Sequence, residues 1–153
     1  MLSDKYIVTN VFILDYETRL RSWVDLRNKL LRLQSVDQVI EIDRFWQRVP
    51  TQNHYLHTDY IKDWPSPWQL LSDNTYCNYA RGLGMIYTLL LLGNKDIDLV
   101  DAKDDNSNEV VLVLVDNAKY VLNYWPDTVV NNHITDFVIT RKHDITPLYS
   151  KIG

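Results

Sequence analysis

The chain has few of the residues on which several classes of function depend. Its 153 residues include one cysteine, four histidines and four glycines. A single cysteine excludes an internal disulfide and is compatible with a reducing compartment. No glycine-rich phosphate loop occurs, and the H-x-x-H pair His54 and His57 has no second cluster with metal-ligand spacing. We therefore predict no cofactor and no metal site.

Positive charge and long apolar runs are also scarce. Sixteen Lys and Arg against 20 Asp and Glu give a net charge of −4, so no basic surface argues for nucleic acid. The longest apolar run, 86–92 with Thr88 inside it, is too short to span a bilayer. The first residues include early acidic side chains and no small-residue cleavage site, so we predict no signal peptide. We expect no nucleic acid partner and no membrane partner.

The first third of the chain has helical periodicity. Apolar residues recur at helical spacing over about 16–33, which predicts an amphipathic helix. Ser35 followed by Gln38 fits a capping box and predicts a second helix over about 36–48. The β-branched and aromatic stretch 6–14 predicts an initial strand or extended arm.

A rigid turn, WPSPW, comes before the cysteine. We predict a short helix that begins at Pro67 with Ser66 as its N-cap. Trp64 and Trp68, at the two ends of the turn, are both expected to be buried in the core.

A long helix predicted over 75–92 follows, with Gly93 as its C-cap. Gly82 and Gly84 lie inside it and predict close packing against another backbone, because glycine costs about 1 kcal/mol relative to alanine there. Cys77 lies near the start of this helix, where the first-turn N–H groups and the helix dipole favour a thiolate.

Strand patterns fill the rest of the chain and set the fold class. Strands are predicted at 97–100, 109–115, 120–124 and 137–140, with a hairpin turn at 116–119. The order predicts an α+β fold, in which N-terminal helices and a central buried helix pack on a small antiparallel sheet. We expect one domain over the whole chain, residues 1–153, in which the first 50 residues form a helical portion.

These residues resemble a known family, the bacterial transglutaminase-like cysteine proteinases. In that family D-x-W-x-x-P-x-x-x-L precedes G-D-C-E-D-Y-A, and the cysteine is the nucleophile. The matching text here is 63–71 (DWPSPWQLL) and 75–80 (TYCNYA), with a weaker echo at 146–149 (TPLY). The family histidine begins a strand H-x-V-L, and its acidic residue lies in V-L-D-N; these match 109–112 (EVVL) and 121–124 (VLNY).

The resemblance covers about residues 60–125 and implies a transglutaminase-like fold with Cys77, Glu109 and Asn123 at the three catalytic positions. Asparagine is acceptable as the orienting third member. Glutamate does not replace histidine, because it forms no imidazolium and supplies no general acid near neutral pH. The resemblance therefore implies a triad that is inactive as it stands.

Three hypotheses follow. The first is a catalytically degenerate transglutaminase-like domain that binds a protein partner or a second copy of itself as a structural or assembly component. By analogy of fold it extends to a viral (phage) particle, so the expected location is the cytoplasm or a virion. The second is an active cysteine peptidase or acyltransferase that uses Cys77, Asn123 and a histidine from another segment. The histidines available for this are His54, His57, His133 and His143. The third is an unrelated metal or ligand binder centred on the first two of these histidines. The sequence favours the first, which is not an enzyme.

Overall fold

The computed structural model describes residues 10–53 and 55–152 and has an α+β fold, as predicted. Its α-helices are α1 (Tyr16–Leu30), α2 (Ser35–Trp46), α3 (Pro67–Asp73) and α4 (Asn78–Leu91). Its strands are β1 (Ile97–Lys103), β2 (Glu109–Val115), β3 (Tyr120–Leu122) and β4 (Val138–His143). Short 3₁₀ turns occur at Val11–Ile13, Thr58–Asp63, Val129–Asn131, Ile134–Asp136 and Thr146–Ile152.

The initial strand predicted over 6–14 is wrong where the structure describes it. Val11–Ile13 forms a 3₁₀ turn, and residues 6–9 lie outside the described part of the chain. The Asn10 side chain accepts a hydrogen bond from the Phe12 N–H and so caps this turn. Phe12 is buried, so the apolar character of the stretch reflects core packing instead of strand pairing.

The four strands form one antiparallel sheet in the order β3-β2-β1-β4. The β1–β2 hairpin runs in continuous register from Ile97 opposite Val115 to Lys103 opposite Glu109. The turn after β2 has three successive residues with positive φ, at Asp116–Ala118, which agrees with the predicted hairpin. The last strand does not continue the meander, because β4 returns to pair with β1 at the other side of the sheet.

The central strands β1 and β2 are buried on both faces, whereas most of β4 is exposed. Alternate residues of β1 and β2, such as Leu99 and Val113, join the large core that contains the helices. Their neighbours Val100 and Leu112 join a smaller core on the opposite face, covered by Ile134 and Phe137 among others. Burial on both faces explains why β2 is a nearly continuous apolar run.

Two buried tryptophans and one threonine form the polar centre of the helical core. Trp23 of α1 and Trp46 of α2 are both fully buried. Their indole Nε1 groups donate to the same oxygen, Oγ1 of Thr88 in α4, at 2.9 and 3.0 Å. That hydroxyl in turn donates to the carbonyl oxygen of Gly84 at 2.8 Å. All the hydrogen-bonding capacity of one hydroxyl group is therefore used inside the core.

The glycines of α4 allow close packing, as predicted, but against side chains and not against another backbone. A Cβ added at Gly84 would lie 2.4 Å from the Trp46 ring. At Gly82 the nearest atom would be Nδ2 of Asn123, at 3.1 Å. The C-cap of α4 is Leu92, which corrects the prediction of Gly93; Gly93 is the next residue and has φ +88°.

The predicted N-cap at Ser66 and the predicted capping box at Ser35 have different outcomes. Ser66 caps α3 with the full reciprocal box to Gln69, and Pro67 occupies the first turn, as predicted. The box at Ser35 is wrong, because Gln34 is the N-cap of α2 and forms no side-chain cap bond. Gln38 instead donates to the carbonyl oxygen of Leu30 and so connects α2 to the end of α1.

The two tryptophans of the WPSPW turn also differ. Trp64 is buried, as predicted, and its indole donates to the carbonyl oxygen of His57 at 3.0 Å. Trp68 is 38% exposed, which corrects the prediction that both are buried. It contacts Trp23 edge-to-face at the outside of the core. Within residues 10–53 and 55–152, no helix has the length and apolar character needed to cross a membrane.

Candidate functional site

Cys77 lies where the sequence predicts it, at the start of the central helix. It is the N-cap residue of α4, with an extended backbone conformation, and its side chain forms no cap bond. The thiol is fully buried. It forms no hydrogen bond with any residue that the structure describes. None of these residues is therefore hydrogen-bonded to the thiol as an activating base would be.

Asn123, the second residue at a position matching the family triad, holds the beginning of α4 against the sheet. Its backbone has φ +70° directly after β3. The side-chain Nδ2 donates to the carbonyl oxygens of Asn78 (3.1 Å) and Val111 (2.9 Å). The Oδ1 accepts from Nε of Arg81 at 2.6 Å. Every polar atom of this amide is engaged in contacts that position α4.

A buried carboxylate supports Asn123 from the other side. Oδ1 of Asp43 accepts the Asn123 backbone N–H at 2.9 Å, and Gln47 donates to the same oxygen at 3.3 Å. Burial raises the pKa of Asp43, although these hydrogen bonds and the Arg81 charge oppose the shift. Burial also lowers the pKa of the Arg81 guanidinium, partly offset by Asp43.

Glu109 is the first residue of β2, at the position where the family has histidine, and its side chain is exposed. It lines a small polar cavity of about 160 Å³ together with Asn78, Tyr79 and Asp101. This cavity lies between the first turn of α4 and the hairpin β1–β2. The structure thus places Glu109 and the residue next to Cys77 on one cavity, but no bond joins Glu109 to the thiol.

Of the predicted replacement histidines, only His143 is both described and buried. Its Nε2 lies 3.0 Å from Oδ1 of Asp101. The orientation is poor for a hydrogen bond, so this nitrogen has no well-aligned partner despite the short distance. The Tyr79 hydroxyl donates to the same Asp101 oxygen at 2.6 Å, and the Tyr79 ring packs edge-to-face on the imidazole. Burial, with a further contribution from Asp101, raises the pKa of Tyr79.

Two other candidate histidines, His57 and His133, form no hydrogen bond with Cys77. His57 and His133 are exposed and cap two separate 3₁₀ turns. His54 lies outside the described residues. Over 10–53 and 55–152, no three His, Cys, Asp or Glu side chains are grouped so that they could hold a metal ion.

The chain was compared with protein-family models and with curated proteins, and neither comparison gave a match at a significant level.

Sequence reasoning named His143 as a replacement histidine but missed its neighbour Asp101, and it also missed Arg81, which binds Asn123. Arg81 carried a signal, since it is the only charged residue within α4. Asp101 also had a signal in the sequence, because it is a charged residue between two apolar residues of β1, both of which are buried. No local pattern predicts that His143 is the buried one of the candidate histidines, because its contact with Asp101 depends on the return of β4 to β1.

Proposed function

We propose that this chain is a catalytically inactive transglutaminase-like domain that acts as a structural or assembly component. The observation that carries the proposal is the environment of Cys77. The thiol is fully buried, and none of the residues in 10–53 or 55–152 forms a hydrogen bond with it. A nucleophilic cysteine needs access to its substrate and a base that activates it. In this environment Cys77 acts as a small apolar core residue.

The other two positions that match the family triad support the same proposal. The side chain of Asn123 is used completely in holding α4 to β2 and in binding Arg81. Glu109 is exposed and carries a carboxylate where the family chemistry requires an imidazole. A fold that retains these positions without their chemistry is suited to binding instead of catalysis.

Surface aromatic residues support a role in assembly. Trp125 is 63% exposed and Tyr60 is 58% exposed, and aromatic side chains are enriched at protein interfaces. The proposed partner is another protein or a second copy of this chain. By analogy of fold, a viral (phage) particle is the proposed setting, in the virion or in the cytoplasm where such particles assemble.

The reactivity of the thiol tests the loss of catalysis. We expect iodoacetamide to alkylate Cys77 in the native protein at least about 100-fold more slowly than in the unfolded chain, because labelling requires opening of the core. The rate should show no plateau near pH 6, where an activated thiolate would already react. A Cys77→Ser variant serves as the unlabelled control. Rapid labelling of the native protein near pH 6 contradicts the proposal.

Sedimentation velocity tests the assembly role. We expect a defined oligomer of the purified chain, or a stable complex when it is expressed with the proteins of its own particle. The Cys77→Ser variant should assemble to the same extent, since no chemistry at sulfur is involved. A strictly monomeric chain that forms no complex contradicts the assembly role.

One observation favours a second candidate, an active cysteine peptidase or acyltransferase. The buried His143 lies 3.0 Å from the half-buried carboxylate of Asp101, beside Tyr79, which is two residues after Cys77. Such a pair is what a cysteine nucleophile requires as base and orienting acid. Under this alternative, Cys77→Ala and His143→Gln each abolish hydrolysis of peptide substrates while the fold is retained. If both variants equal the wild type, the alternative is excluded.

A further inference from the structure

A groove lies beside the beginning of α4, and its most unusual lining residue is Arg81. The groove has a volume of about 520 Å³, which is within the usual size range of ligand sites. Six of its residues carry the argument: Arg81, Asp104, Glu109, Asn123, Tyr124 and Trp125. We call it the Arg81 groove.

The Arg81 guanidinium is fixed at one edge, and its other edge has no partner among residues 10–53 and 55–152. Its Nε donates to Asn123 Oδ1 at 2.6 Å, and Asn123 is itself held by α4, β2 and Asp43. The two terminal nitrogens form no hydrogen bond or ion pair with the residues in the described ranges. An arginine held in one orientation, with its outer pair of N–H donors free, presents the geometry that binds a carboxylate in bidentate fashion.

The electrostatics of Arg81 also favour an anionic ligand. Arg81 is largely buried, and this burial lowers the pKa of its guanidinium. The nearby Asp43 only partly offsets the loss of hydration. A bound anion would supply the missing partner, and its interaction with a partly desolvated charge is stronger than with one on an open surface.

The rest of the groove distinguishes a carboxylate from a more highly charged anion. Glu109 and Asp104 also line it. Asp104 is engaged by Tyr124 and by the turn at Asn108, whereas Glu109 is exposed and forms no ion pair among the described residues. A doubly charged phosphate would be repelled by these carboxylates more strongly than a singly charged carboxylate.

The aromatic side of the groove indicates that the carboxylate belongs to a polypeptide. Trp125 is 63% exposed, and its ring packs edge-to-face on Tyr124. A flat apolar surface next to a fixed guanidinium suits an acidic group with an aliphatic or main-chain neighbour, as in a peptide segment.

From these observations we infer that the Arg81 groove is a docking site for a carboxylate of a partner polypeptide, held by the outer edge of the Arg81 guanidinium and covered by Trp125. The inference deepens the proposed function, and rests on it, because it names the chemistry by which this domain would recognise its partner. The carboxylate is an acidic side chain or a free C-terminus, since both present the same group.

NMR titration of the Cys77→Ser protein tests the inference, followed at the Arg Nε–H and Trp indole N–H resonances. The probes are acetyl-Ala-Glu-Ala-amide, acetyl-Ala-Ala-Ala with a free C-terminus, the neutral acetyl-Ala-Gln-Ala-amide and inorganic phosphate. We expect at least one carboxylate peptide to bind at least about tenfold more tightly than the neutral peptide. The peptide that binds better identifies the source of the carboxylate. Equal binding of the neutral peptide, or tighter binding of phosphate, overturns the inference.

Three variants locate the binding. Arg81→Lys retains the positive charge, but lysine lacks the planar guanidinium that can donate to Asn123 and to a ligand at the same time. We therefore expect the affinity for the carboxylate peptide to fall at least about tenfold. Trp125→Ala changes an exposed residue, which should leave the fold intact, and should also weaken binding. Glu109→Gln should strengthen it, because a repulsive charge is removed. If Trp125→Ala and Glu109→Gln both leave the affinity unchanged, the groove is not the site, even if Arg81→Lys fails to fold.

The carboxylate site and the proposed function can fail independently of each other. All titrations use a chain without the thiol, so catalysis at Cys77 would contradict the proposed function and leave these affinities unaffected. Conversely, if the thiol is inert and no carboxylate peptide binds, the proposed function stands and the inference about the Arg81 groove is wrong.

Discussion

Replacing Thr88 by valine should destabilise the protein strongly, although the two side chains have nearly the same volume. The Thr88 hydroxyl accepts the indole N–H groups of Trp23 and Trp46, both fully buried. Valine has almost the shape of threonine, so it leaves no cavity, but it removes the only acceptor described for either indole. Two donors would then be buried without partners.

The size of the effect follows from the cost of an unsatisfied buried donor. Each costs about 1–3 kcal/mol, so Thr88→Val should lower the free energy of unfolding by about 2–6 kcal/mol. Native domains are stable by about 5–15 kcal/mol, so this is a large fraction of the total. The matched control is Thr88→Ser, which retains the hydroxyl and deletes one buried methyl group at a cost of about 1 kcal/mol.

Urea unfolding followed by far-UV circular dichroism gives the comparison, because tryptophan emission would itself respond to the change at Thr88. The dependence of the free energy on urea should be equal in the three proteins, so that a shift in midpoint reports stability. If Thr88→Val is no less stable than Thr88→Ser, the shared acceptor does not stabilise the core.

Three further changes have expected outcomes that urea unfolding can measure. Gly84→Ala should destabilise the protein by about 1–2 kcal/mol, because overpacking against Trp46 costs about 1–3 kcal/mol and exceeds the gain in helix propensity. Gly82→Ala should cost less, because the added Cβ would lie 3.1 Å from its nearest neighbour. Equal effects of the two variants would refute the clash at Trp46. Burial raises the pKa of Asp43, so the folded state retains its proton to higher pH than the unfolded chain, and this contribution to stability falls as pH rises from about 4. Asp43→Asn should therefore become more stable relative to the wild type as the pH rises from about 4 to 7, and a flat difference would contradict the assignment. Ser66→Ala removes the N-cap of α3 and should lower the free energy of unfolding by about 1 kcal/mol. An unchanged urea midpoint would show that the cap is dispensable.

Local patterns predicted the elements whose signals are themselves local. The apolar run of β2 gave its bounds, Glu109–Val115, because a strand buried on both faces needs no alternation. The proline after Ser66 made that capping box effective by fixing the first helical residue. Ser35 has the same spacing to a glutamine without a proline, and there the helix begins one residue earlier and Gln38 binds α1 instead.

Features that depend on distant contacts could not be predicted in this way. The sequence indicated that Asn123 was important, but not that its amide would bind Arg81, since this requires the positive φ after β3 and the packing of α4 on β2. The pair His143 and Asp101 depends on the position of β4 in the sheet. The exposure of Trp68 follows from its place on the outer side of α3, which a seven-residue helix does not reveal by periodicity.

The position of β4 also has a consequence for the order of folding. Leu99 of β1 pairs with His143 of β4, about 40 residues further along the chain, whereas β1 and β2 are joined by a short turn. Contacts between distant segments form slowly because a long loop must close first. During synthesis the hairpin and α4 therefore form before β4 exists, and one edge of β1 stays unpaired in the meantime. An open edge can accept a strand from another molecule. High expression at high temperature should consequently favour strand-exchanged aggregates, and slower synthesis should suppress them.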